Sequence, residues 1–166
     1  MFDKAEGEGR CCRAVEGPLE QLFSRTKQTV EATLGRLGLD PAQAKVKETD
    51  DQATYTLMRG SASILVTVVH RAEQKATFLR VASPVMVMAE GAREPLYKRL
   101  LELNAGGLAN AWFGVMSDKV VAVSERPAEN LDAGEVEQMI RHLSAVADTY
   151  DDRLTKEFGG KRASDA

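Results

Sequence analysis

Residues 61–70 read SASILVTVVH, and no other stretch restricts the fold as much. Successive side chains of a strand point to opposite faces, so Ile64, Val66 and Val68 project one way and Leu65 and Val69 the other. A sheet with one helical layer keeps one face wet and shows polar alternation. This strand is apolar on both faces, and the run from Val120 to Val123 alternates equally little. Something must cover the second face: the last helix, a second subunit or a bound peptide.

The neighbouring segments are strand formers too. Residues 52–59 (QATYTLMR) and 75–82 (KATFLRVA) are rich in Thr, Val, Tyr and Phe, which suit a pleated surface. Arg59-Gly60-Ser61 marks a tight hairpin turn, and His70 to Gln74 is a short polar connection. The three strands are therefore predicted to be antiparallel neighbours. Pro84 has no N–H to give a ladder, which sends Val85 to Met88 to an edge or a bulge.

Helical spacing flanks this region. From Pro18 onward, Leu19, Leu22, Phe23, Thr26, Val30, Leu34 and Leu37 recur at three- and four-residue steps. Gly38 ends that helix and Asp40-Pro41 turns the chain. A shorter helix, PLYKRLLELN at 95–104, carries Leu96, Leu100 and Leu103, widened by Leu101, and stops at Asn104. Residues 109–116 and 119–125 are two more strands about Ser117-Asp118. The last helix begins with a capping box, Asp132 with Glu135, and a hydrophobic staple, Leu131 with Val136. Its stripe is Val136, Met139, Ile140, Leu143, Ala147, Tyr150 and Leu154. The predicted class is α+β, a two-layer domain of order α-β-β-β-α-β-β-α with an antiparallel sheet of about five strands and three helices. One domain is expected over 17–158, with a flexible leader over 1–16 and a polar tail over 159–166.

The chemistry-bearing residues do not converge. Cys11 and Cys12 are adjacent in the leader, with no distant cysteine to pair with. His70 and His142 are isolated, and Gly106-Gly107 follows a helix, so its N–H groups make no anion site. No catalytic residue, metal ligand or cofactor is expected. The net charge of −3 and the 5% aromatic content lack the basic surplus and stacking platform of a nucleic-acid binder. The N-terminus has no apolar signal region, and the longest apolar run, Ile64 to Val69, is too short to span a bilayer. A cytoplasmic protein with no nucleic-acid and no membrane partner is expected.

The second half resembles a known family. The segments LLELN at 100–104, WFGVMSDKVVAVSERPAENLDAGEVEQMI at 112–140 and HLSAVADTYDDRL at 142–154 are similar to the YbjN family, within the type III secretion chaperone-like fold. Within them stand the Phe113-Gly114 pair and the Ala147-Asp148-Thr149-Tyr150 signature. The resemblance implies the element order read above, a homodimer, and a role in binding an extended segment of a client protein or in sensing and regulation. It carries over no catalytic residue. The expected function is a non-catalytic protein- or peptide-binding module. Its candidate contacts are Leu65, Val69, Trp112 and Val121, which lie on the strands with too little alternation. A small-molecule sensor and a structural subunit of a larger assembly are the alternatives. The unbroken stripe of the last helix and the doubly apolar strands also predict a homodimer.

Overall fold

The computed structural model describes residues 17–91 and 93–166; the expected leader over 1–16, with Cys11 and Cys12, lies outside the described residues. Helix α1 (Pro18–Arg36) and a single-turn α2 (Pro41–Ala44) precede strands β1 (Lys45–Glu48), β2 (Gln52–Arg59), β3 (Ala62–Arg71) and β4 (Ala76–Val87). Helix α3 (Glu94–Ala105) leads to strands β5 (Trp112–Met116) and β6 (Lys119–Pro127), then α4 (Ala133–Phe158) and a two-residue β7 (Lys161–Arg162). The strands form one antiparallel sheet in the order β1-β2-β3-β4-β6-β5, with β7 beside β4.

Helices α1 and α4 pack on each other and on β3 and β4, and α3 packs on β5. The core lies between the helices and one face of the sheet. Ile64, Val66 and Val68 of β3 meet Leu79 and Val81 of β4, with Val30, Leu34, Ile140 and Leu143 above them, all fully buried. The capping box at the start of α4 forms as read. Glu135 N–H donates to Asp132 Oδ1 at 2.8 Å, and Asp132 N–H donates to Glu135 Oε2 at 3.0 Å. No helix among the described residues is long and apolar enough to cross a membrane.

Several elements depart from the sequence reading. The described residues form seven strands and four α-helices where about five and three were expected. Strand β4 runs beyond Ala82 through Pro84 to Val87, with the expected bulge after Pro84. Proline is tolerated there because pairing with β3 ends at Leu65–Ala82, and a bulge between Pro84 and Met86 resets the ladder to β6. Leu101 does not widen the stripe of α3, since 69% of its surface is exposed. Residues 161–162, within the expected polar tail, pair with Val87 and Met86. The stripe of α4 is covered within the chain: Val136, Ile140, Leu143, Ala147 and Leu154 are buried in the core, so that helix calls for no second subunit.

The outer strand β1 is tied to α1 by charge. Lys27 and Lys45 approach the Glu48 carboxylate at 2.6 and 2.8 Å. Lys45 also reaches Glu31 at 3.2 Å, and the Tyr55 hydroxyl donates to Glu31 at 2.7 Å. Hydrogen bonds from Lys27, then Lys45, lower the Glu48 pKa to about 2. A carboxylate whose pKa is lowered by folding stabilises the fold above its unfolded value of about 4.3 and loses that effect as pH falls through its folded value. The gap in urea midpoint between wild type and Glu48→Gln is therefore expected to be widest near pH 6. It should close as pH approaches the folded pKa of about 2 in equilibrium unfolding at stepped pH.

Candidate functional site

Among the described residues, the helices pack on the other face of the sheet, and none packs on the second face. Register places Thr56, Leu65, Ala82, Val123 and Trp112 side by side across β2, β3, β4, β6 and β5. A parallel row holds Gln52, Val69, Phe78 and Pro127, and another holds Pro84, Val121 and Gly114. All four residues singled out from the sequence, Leu65, Val69, Trp112 and Val121, thus share this open face. They are not equally accessible. Trp112 is 39% exposed and Leu65 and Val69 are half-buried, while Val121 and Val123 are buried at 6% and 1%. The two valines lie outside the helix-side core. By register both lie on this second face, beside Trp112 and Gly114 of β5.

Between the apolar rows runs a polar one: Thr54, Thr67, Arg80 and Glu125. Arg71 makes a two-pronged pair with Glu125, at 3.0 and 2.7 Å, and stacks 4.7 Å from the centre of the Phe78 ring. Thr54 and Thr67 hydroxyls lie 3.1 Å apart. Sequence reasoning missed Phe78, Arg71, Arg80 and Glu125. The alternation Phe78-Arg80-Ala82 is visible in KATFLRVA, but Glu125 joins it only through pairing distant in sequence.

Beyond Trp112, strand β5 stops while β6 continues to Pro127. Ala109 and Asn110, both at positive φ (45° and 64°), turn the chain away there. This leaves an open groove of about 530 Å³ beside Ser124, Glu125 and Arg126 of β6, walled by Glu135, Met139 and His142 of α4. His142 Nε2 lies 2.9 Å from the Leu108 carbonyl. His70 borders a different open groove, with its Nδ1 3.3 Å from the Thr77 hydroxyl, so the two histidines do not meet. Among the described residues no group of three His, Cys, Asp or Glu side chains is placed to hold a metal ion.

The family described as T3SS (YopN, CesT) and YbjN peptide-binding chaperone 1 matches residues 24–166. The chain belongs to that family. It is a peptide-binding, chaperone-like module, as the resemblance implied. No curated protein matches it. Among solved structures it is similar to the ExsC–ExsE complex, at 20% identity and TM-score 0.60, over 80% of this chain and 96% of that one. It is also similar to the HopA1–SchA chaperone–effector complex, at 12% identity and TM-score 0.56, over 82% and 99%. A third is the heterodimeric ExoU–SpcU complex from the type III secretion system of Pseudomonas aeruginosa, at 13% identity and TM-score 0.51, over 75% and 95%. At these identities the likeness is one of fold.

The residues that carried the YbjN resemblance now have physical roles. Helix α3 ends at Ala105, one residue past Asn104, and the Asn104 side chain reaches across to β5. Its Oδ1 accepts from Phe113 N–H at 2.7 Å and its Nδ2 donates to the Phe113 carbonyl at 3.1 Å. The side-chain amide thus occupies the place of a neighbouring strand. The Phe113 ring meets Tyr150 of α4 edge-on, at 5.2 Å and 73°. Together these contacts fasten the edge strand that presents Trp112. Asn104→Ala is expected to cost about 1–3 kcal/mol, the range for leaving a buried backbone group unpaired. It should also increase acrylamide quenching of Trp112, the only tryptophan, in the folded protein.

Proposed function

We propose that this domain is a non-catalytic, cytoplasmic client-binding module that holds an extended segment of another protein along the open sheet face and against the free stretch of β6. The observation that carries this reading is the row Thr56–Leu65–Ala82–Val123–Trp112, which is nearly apolar over five strands and, among the described residues, has no helix across it. An extended segment gains backbone hydrogen bonds from a free strand edge and specificity from side-chain pockets beside it. The groove beyond Trp112 offers both. Chaperone–effector assembly by the HopA1–SchA pair supports the same use of the fold. Peptides selected from a phage-displayed library should change Trp112 fluorescence on titration. Leu65→Asp is expected to weaken them at least about tenfold, the order of one buried hot-spot contact, without lowering the thermal midpoint. Unchanged affinity in that variant would remove the open face as the site.

The same reading includes a homodimer, on a surface other than the α4 stripe. Helix α3 exposes Tyr97 and Leu101 one turn apart, and the edge strand β5 on which it packs exposes Val115 and Met116. Apolar side chains clustered at a sheet edge suit a twofold, self-complementary interface. Sedimentation at tens of micromolar is expected to give a dimer for the wild type and a species near 18.1 kDa for Leu101→Asp.

A further inference from the structure

We infer that the client segment selected by the open face is acidic, with carboxylates spaced two residues from apolar side chains. The inference rests on the reading of that face as the client site and adds the chemistry of the occupant. Register puts six charged strand residues on the face: Lys47, Arg71, Arg80, Lys119, Lys161 and Glu125. Five are basic and one is acidic, on a chain whose formal charge is −3. The opposite layer is net acidic: α4 has six carboxylates against three basic side chains, and α1 two against three. Charge is therefore sorted between the layers, and the face without a helix is the cationic one.

The single carboxylate on that face is already committed. Glu125 holds Arg71 in a two-pronged pair, and Arg71 is fixed further by the Phe78 ring. Arg80 approaches Glu125 only at 3.6 Å, outside hydrogen-bond distance, with its side chain 39% exposed. Among the described residues no hydrogen bond holds it. A guanidinium has five donors in a planar fork that matches a carboxylate. Arg80 lies between Phe78 and Ala82 on β4, so apolar surface flanks it on both sides. Same-face residues of a strand are spaced about 6.6–6.8 Å apart, and an extended client laid along β4 has the same spacing. An apolar, acidic, apolar alternation in the client would set each side chain over its complement.

Three synthetic 11-residue peptides test this, sharing one Val, Ile and Ser frame and bearing Glu, Gln or Lys at two alternate central positions. Trp112 fluorescence reads binding to the full chain. At low salt the Glu peptide is expected to bind about tenfold more tightly than the Gln peptide, the order of one charge-assisted contact, and the Lys peptide more weakly than either. That advantage should disappear in Arg80→Gln, whose thermal midpoint serves as the folding control. It should also disappear for the wild type in about 1 M salt, where charges are screened beyond about 3 Å. The salt series needs no variant. Equal binding of all three peptides, lost together in Leu65→Asp, would overturn the charge selection and leave the client face standing. Absence of any Trp112 response to all three, together with library-selected peptides that ignore Leu65→Asp, would overturn both. A change of sedimentation in Arg80→Gln with unchanged peptide affinity would make a second copy the occupant and overturn the inference.

Discussion

Strands β4 and β6 are separated in the chain by a helix and by β5, yet they pair antiparallel from Phe78–Pro127 to Val87–Lys119. Everything on the open face follows from that ladder. The β1-to-β4 meander and the β5–β6 hairpin are each local structures, joined by short turns. Only their junction produces the five-strand row from Thr56 to Trp112. Only there does Glu125 come beside Arg71 and Arg80. The bulge after Pro84 belongs to the same junction. It lets a strand containing proline keep pairing with β6 at Met86 and Val87 after its contact with β3 has ended. Closing contacts so distant in sequence costs loop entropy, which the packing of α4 over β3, β4 and β6 helps to offset.

The parts of this fold that could be read from the sequence are those governed by neighbouring residues. The capping box at Asp132 and Glu135, the stripe of α4 and the hairpin at Gly60 depend on spacings of a few residues, and all three form. Strand β1, KVKE, escaped because three of its four residues are charged and its hold comes from Lys27 on α1, many residues away. Strand β7 escaped because two residues carry no pattern. Asn104 looked like a helix stop, as its type usually is near a glycine pair, but its partner is the backbone of Phe113 in the next strand. For the candidate site the alternation rule brought Leu65, Val69, Trp112 and Val121 to one face. It could not say that Val121 would be buried and Trp112 exposed, because alternation fixes a face and not its accessibility.

Apolar residues on the second face are not equally accessible: Val121 and Val123 of β6 are 6% and 1% exposed, while Trp112, beside Val123 on the edge strand, is 39% exposed. Apolar area at the rim stays open, and burial of such area contributes about 25 cal/mol per Å² before the costs of association. Such rim area is favourable to a partner.

Rigidity decides what kind of partner suits it. Arg71 is locked between an aromatic ring and a carboxylate, the Thr54 and Thr67 hydroxyls are within hydrogen-bond distance, and Trp112 rides on a strand pinned by Asn104 and by the Phe113–Tyr150 contact. These groups are ordered before anything binds, so little side-chain entropy remains to be lost on this side. The ordering cost of the complex then falls on the client. On the proposed reading, a segment that is unfolded beforehand meets that cost by matching two alternating patterns, its own and that of β4, over several residues. A folded partner has no need of such a match, and a flat strand face offers it little shape to recognise. The preformed order of this sheet face therefore favours an extended, unfolded segment over a globular surface.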